Sequence, residues 1–206
     1  MANDFIEIKN LDKAQRLLSG IKNGVERATS SAINRSITTI KKDLKKDVTA
    51  NYAITSTEVE KTLSVKKANF KSPIGYIRSK SPRLSLYKFF KSKKANGSIL
   101  VKIKKKERKK IVKGSPKLNG RPFLATMKNG HRGIFQKTFE KHNKKFLLKS
   151  GKTKNREVYN IKDLKTVSIP QMLGTETIQE YVENKAPEIL EKNFDREIDR
   201  ILKGHL

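Results

Sequence analysis

Phe123-Leu-Ala-Thr-Met-Lys-Asn-Gly-His-Arg-Gly-Ile-Phe-Gln-Lys137 sets two short apolar runs on either side of Asn129-Gly130-His131-Arg132-Gly133. Asn-Gly favours the positive φ angles that hairpin turns need, and the second glycine allows a bulge or a sharp exit. The stretch therefore predicts strand, tight turn, strand. Outward from it, Ser72-Pro73, Ser81-Pro82, Asn96-Gly97, Gly114-Ser115-Pro116 and Asn119-Gly120 punctuate further short apolar runs. Residues 74–77, 84–89, 98–103 and 111–112 read as strands, which with the hairpin make one small antiparallel sheet. Residues 142–160 are polar and lysine-rich around Ser150-Gly151-Lys152, and predict an exposed loop between short strands at 146–148 and 158–161.

The two ends of the chain read as helix. Leu11, Ala14, Leu18, Ile21, Val25, Ala28 and Ala32 recur at alternating three- and four-residue spacing, and a second stripe follows through Ile33, Ile37, Ile40, Leu44 and Val48. The slip at Ala32-Ile33 predicts a stutter or a bend, and Asn10 is placed to cap a helical region over 10–50. A short helix follows, capped by Ser56 or Thr57, with Glu60 at capping-box spacing from Thr57. Ile178, Val182, Ala186, Ile189, Phe194, Ile198, Ile201 and Leu202 give a last helix over about 174–203, with Pro187 predicting a kink or two consecutive helices. The expectation is one α+β domain over 1–206. Its long N-terminal and C-terminal helices pack on the small sheet of a β-rich basic region, 70–165.

Composition narrows the function. The chain has 206 residues, no cysteine and an apolar fraction of 35%, so disulfides and cysteine metal sites are excluded and the core is modest. No run approaches the roughly 18–20 apolar residues that span a bilayer. The start, Met1-Ala-Asn-Asp-Phe-Ile-Glu-Ile, lacks a basic segment followed by an apolar one. The reading is a soluble protein with no membrane partner, retained where it is made. The formal net charge of +28 draws polyanions, nucleic acid first. Residues 88–113 carry twelve Lys or Arg against Glu107 alone, whereas the last helix holds Glu176, Glu180, Glu183, Glu188, Glu191, Asp195, Glu197 and Asp199. Opposed charge of this kind suits head-to-tail association of copies.

The chemistry-bearing residues do not assemble into a catalytic pattern. His131, His142 and His205 lack a second histidine or carboxylate at ligand spacing. Nucleophile elbows, Walker loops and dinucleotide fingerprints are missing, and 114–120 lacks the Gly-Lys-Ser/Thr order of a phosphate loop. The reading is no enzyme, no metal and no cofactor, with His131 in a polar turn role. The candidate contacts to a DNA backbone are Lys102, Lys104, Lys105, Lys106, Arg108, Lys109 and Lys110. A strand there would set Lys102 and Lys104 on one exposed face. Tyr87, Phe89 and Phe90 could stack on a base or fill the core. With no sequence-reading module, any DNA contact is to the backbone and strongly salt-dependent.

Set together, Phe123, Ala125-Thr126-Met127, Gly130-His131-Arg132-Gly133 and Phe135-Gln136-Lys137 resemble a signature of the minor tail protein Z (tail completion) family of lambda-like phages and prophages. Ser168-Ile-Pro-Gln-Met-Leu-Gly174, leading into an acidic helix, is similar to that family's second signature. Ala32-Ile-Asn-Arg-Ser36 and Arg83-Leu-Ser-Leu-Tyr-Lys-Phe89 resemble two further segments. Lys137 departs from the arginine common there, which keeps the charge but weakens a bidentate contact. Pro187 is also unusual.

The resemblance implies a structural virion protein that completes the tail at its head-proximal end, in the neck, without catalytic residues. It implies a ring, sixfold like the tail, beside the tail terminator and the head–tail connector. The protein would reside in the virion tail and, during assembly, in the host cytoplasm. Gly130 and Gly133 would shape the turn, Phe123 and Phe135 the sheet core, and Pro170 to Gly174 the lead into the last helix. The basic residues could hold the viral DNA end. The reading from charge alone is a nonspecific nucleic-acid-binding protein.

Overall fold

Asn23, in the left-handed region at φ 54°, decides where the first long helix begins. The computed structural model describes residues 11–147 and 151–204, so Asn10, Leu148, Ser150 and His205 lie outside the described residues. A short helix α1 (Leu11–Leu17) ends in turns at Leu18–Gly24, and α2 (Gly24–Asn51) follows. The break is therefore earlier than the Ala32-Ile33 slip predicts. Gly24 permits it, because a Cβ there would stand 3.0 Å from the Cβ of Leu18 and 3.2 Å from that of Ile21. α2 instead runs unbroken through Ala32-Ile33 and turns its two stripes toward two neighbours. Ala28 and Ala32 join the core formed with α5 (Glu176–Lys203) through Leu190, Phe194, Ile198 and Ile201. Ile33 and Ile37 press on Gly75, where a Cβ would come within 2.5 Å of the Ile37 side chain.

The chain divides into two compact units, residues 1–81 with 169–206, and residues 82–168. In the first, α2 and α5 form the helical layer. α3 (Ser56–Glu60) is capped by Thr55, whose side chain and Glu58 form the capping box, two residues before the Thr57–Glu60 pairing expected. The observed register buries Ile54 before the cap and Val59 inside the helix, the arrangement of a hydrophobic staple. It frees Glu60 to pair with Lys41 and Lys45 of α2, and those lysines hold its carboxyl below the usual range. β1 (Leu63–Lys66) and β2 (Tyr76–Ser79) form an antiparallel pair. α4 (Ile169–Leu173) buries Ile169 and Met172 ahead of Thr175, the cap residue of α5. α5 continues as a single helix through Pro187, so the two-helix alternative does not hold.

The second unit holds two three-stranded antiparallel sheets, so the strands are shared among three small sheets rather than one. One comprises β3 (Phe90–Lys93), β4 (Ile99–Val101) and β5 (Lys110–Ile111); the other comprises β6 (Asn119–Thr126), β7 (Arg132–Leu147) and β8 (Thr153–Asp163). Residues 84–89 are not the strand expected. Leu84 and Leu86 exchange backbone hydrogen bonds with residues 164–167, and Leu86–Phe89 then closes a 3-10 turn. That turn buries Phe89 and stacks Tyr87 on Phe90, three residues on, at 5.8 Å. Residues 142–147 and 153–160 are not a loop either, but belong to the two-stranded ribbon of β7 and β8, paired from Lys141–Tyr159 to Leu147–Thr153. As a whole the architecture is α+β.

Charge is divided between the units. Residues 82–168 contain 27 of the 48 basic residues and only 4 of the 20 acidic ones, +23 of the net +28.

Candidate functional site

The hairpin of β6 and β7 turns at Met127–His131. Gly130 N–H donates to Met127 O at 2.9 Å, and Gly130 takes φ 80°, the sequence of a β-turn followed by a left-handed residue. Asn129 Oδ1 accepts from His131 N–H. Gly133 is not in the turn; it lies in β7, paired with Ala125. A Cβ on Gly133 would meet the Phe135 ring at 2.6 Å and Asp163 Oδ1 at 3.1 Å, so the missing side chain makes room for that ring. Phe135 is paired with Phe123 on one side and Asp163 on the other, and His131 meets its ring edge-on at 5.9 Å.

Asp163 is the partner of His131 that sequence spacing does not reveal. His131 Nε2 lies 3.4 Å from Asp163 Oδ2, while Ser85 Oγ donates to Oδ1 at 3.1 Å. A serine hydrolase needs the imidazole between hydroxyl and carboxylate. Here the carboxylate stands in the middle, so the group fastens the hairpin to β8 and to residue 85 instead of activating the serine. On the other face of β7, Gln136 is 2% exposed and fully engaged. Its Oε1 accepts from Ser115 N–H, and its Nε2 donates to Ser115 O and Gly120 O. Gln136 thus holds the 114–120 loop, and a Cβ on Gly114 would collide with it at 2.8 Å.

The seven candidate DNA contacts lie on one loop and its end. β4 stops at Val101, so Lys102 and Lys104 do not share a strand face; Lys102 N–H bonds Phe89 O instead. Lys104, Lys105, Lys106, Arg108, Lys109 and Lys110 are exposed, and Lys102 is half-buried. Glu107 pairs with Lys110 at 2.7 Å and Lys104 at 3.5 Å, and these lysines, Lys110 foremost, hold its carboxyl below the usual range. Tyr87 and Phe90 are stacked on each other and Phe89 is buried, so these rings serve packing.

The segment Ala32–Ser36 anchors the helical layer residue by residue. Ala32 is in the core. The Asn34 side chain clamps the Ala68 backbone, donating to its O and accepting from its N–H, both at 2.9 Å. Ser36 Oγ accepts from Asn193 of α5 at 3.0 Å. Arg35 Nε lies 2.5 Å from Oε1 of the buried Glu197, an ion pair without hydrogen-bond geometry. Arg200 covers the other oxygen at 2.7 and 2.8 Å. Pro170 is the second residue of α4 and Gly174 follows its end, with Gly174 N–H donating to Pro170 O.

A cleft of about 260 Å³ opens in the same unit against Leu44, Leu63, Ile77, Leu173, Ile178 and Val182, with Gly174 at its edge. Ser79 and Gln179 are the polar side chains of its lining, which carries no ionisable group, and the Ser79 hydroxyl lies 3.2 Å from that of Thr62. Among the described residues there is no cluster of three possible metal ligands, and no helix is long and apolar enough to cross a membrane.

The geometry is that of a fastened scaffold with a basic loop, and comparison with known proteins agrees with its class. The family described as prophage minor tail protein Z (GPZ) matches residues 8–206, nearly the whole chain. No curated protein and no solved structure matches. The chain belongs to the prophage minor tail protein Z family, structural proteins of the phage tail.

Proposed function

We propose, from that membership, that the protein completes the tail at its head-proximal end, joining it to the neck as a ring of identical subunits, sixfold like the tail. Its neighbours there are the tail terminator and the head–tail connector. The observation that carries this reading is the family match over residues 8–206. The fastening of its signature residues supports a building block: Gly133, Phe135 and Asp163 lock one hairpin, and Arg35, Ser36, Asn193 and Glu197 lock two helices. The acidic residues of α5, with exposed Glu180, Glu183, Glu188 and Asp195, complement basic surfaces on another copy, which suits a heterologous, ring-closing contact. The residues of the basic loop, Lys102 to Lys110, contact the backbone of the DNA end.

Deleting the gene from a prophage and inducing it tests the reading. Unjoined heads and tails are expected, rescued by the gene in trans. Normal numbers of joined, infectious particles would overturn it. Changing Lys104, Lys105, Lys106, Lys109 and Lys110 to Gln should disturb DNA positioning or release and leave assembly intact; equal loss of assembly would place the loop at a protein contact. The second reading, a nonspecific nucleic-acid-binding protein, draws on the +23 carried by residues 82–168. Negligible retention on DNA at low salt would eliminate it.

A further inference from the structure

Among the described residues the β7–β8 ribbon beyond Lys137 has no third strand: β6 pairs with β7 only up to that residue. Across residues 141–147 and 153–159, cross-strand partners share a face and neighbours alternate. One face presents Lys141, Tyr159, Asn143, Glu157, Lys145 and Asn155, with Lys141 and Glu157 paired at 2.8 Å. The other presents His142, Val158, Lys144, Arg156, Phe146 and Lys154, without a carboxylate. Lys144 and Arg156 stand over the Phe146 ring at 5.7 and 5.9 Å, which holds both cations on that face. Lys144, Lys154 and Arg156 are all exposed. The stretch of seven residue pairs is about 20 Å long.

We infer that this ribbon is a duplex-DNA-binding arm, whose face of Lys144, Lys154, Arg156 and Phe146 lies along the phosphate backbone. A two-stranded ribbon is narrow enough for the major groove. Over about 20 Å a duplex offers roughly a dozen phosphates, one charge per ~1.7 Å of axis. A face of a single sign suits that repeating polyanion. The site is separate from the basic loop and stands whether or not the protein joins the neck.

The test is fluorescence anisotropy of a labelled random-sequence duplex against the full chain across a salt series. Every phosphate that the protein no longer neutralises lowers the log–log salt slope by about 0.9. The triple variant K144Q/K154Q/R156Q should therefore lower it by roughly 2–3 and weaken binding tenfold or more at moderate salt. The control K13Q/K42Q/K46Q, removing equal charge from the exposed faces of α1 and α2, should leave the slope within about one unit. The charge-keeping variant K144R/K154R/R156K should bind like the wild type, which separates charge from folding. Equal losses in the ribbon and control variants would overturn the arm. So would an unchanged slope with an altered oligomeric state, which would make the ribbon a protein contact.

Discussion

Glu197 is the sharpest energetic test of the helical layer, because its carboxylate is 1% exposed while both its arginines are 58% exposed. The asymmetry dictates which partner is costly to lose. Removing Arg35 and Arg200 together, as R35A/R200A, strands a buried charge without compensation, which costs about 3–5 kcal/mol. Removing the carboxylate as E197L instead leaves two guanidinium groups that already reach water and hydrate freely. Leucine also supplies apolar area beside Phe194, Ile198 and Ile201. The loss of charge-assisted hydrogen bonds and the gain in packing then nearly offset, and E197L should change stability by no more than about 1–2 kcal/mol in either direction. R35A alone, with Arg200 still holding Oε2, should fall between, at about 2–3 kcal/mol. Urea unfolding followed by far-UV circular dichroism measures all three. At roughly 2–4 °C per kcal/mol for a chain of this size, the melting temperatures should separate in the same order. If E197L costs as much as R35A/R200A, the carboxylate is not stabilised as argued, and the helix contact depends on something other than this ion pair.

Q136A should destabilise by about 2–4 kcal/mol, because three hydrogen bonds disappear and the Ser115 backbone is left without its partner. Amide exchange should accelerate in residues 114–120 first; unchanged protection there would remove Gln136 as the anchor of that loop. G133A forces the Phe135 ring aside and should cost about 1–3 kcal/mol, with the His131 and Phe135 proton shifts changing together; unmoved shifts would contradict the packing. Tyr181 donates to Asp43 at 2.5 Å, and burial first, then that hydrogen bond, push its phenol above the ordinary range. The protonated form is the one the fold favours, so this stabilisation is complete below about pH 10 and is lost as pH climbs from there through the folded-state value. Absorbance titration should find a tyrosine that ionises after the others, absent from Y181F; a Y181F curve identical in the alkaline limb would refute the assignment.

What the sequence disclosed follows from where each physical signal is local. The alternating spacing of Ala14, Leu18, Ala28 and Ala32 reports one buried stripe, and the slip at Ala32-Ile33 truly marks a change of partner. Spacing cannot tell whether the helix bends or simply shows another face, and α2 shows another face. The break is written instead in Gly20, Asn23 and Gly24, punctuation that the longer periodicity overrides. The ribbon is hidden because, Leu147 apart, the exposed residues of 141–147 and 153–159 are polar on both faces, so no alternation of hydrophobicity marks the strands. The stretch 84–89 alternates like a strand, yet burying Phe89 while stacking Tyr87 on Phe90 needs the three-residue repeat of a 3-10 turn. Asp163 stands 32 residues from His131, and a pairing made across two strands leaves no trace in local spacing. The hairpin glycine is legible because Asn-Gly acts on its own backbone, and Gly130 takes the positive φ it implies.

Most of the residues that carry the family resemblance are not the ones that give the chain its charge. Asn34, Arg35, Gly133, Phe135 and Gly174 lie against neighbours within their own units, and altering them should act through stability. Lys105, Lys106, Arg108 and Lys109 on the loop are exposed and form no ion pair among the described residues; Lys144 and Arg156 on the ribbon stand over one ring, with Lys154 exposed beside them. Surface substitutions of that kind usually stay within about 0.5 kcal/mol. Crowding like charges onto one unit is itself unfavourable through self-repulsion, so neutralising a few of them should, if anything, raise its melting temperature. These side chains contribute little to packing, so the charge is the part of the molecule open to functional dissection without unfolding it.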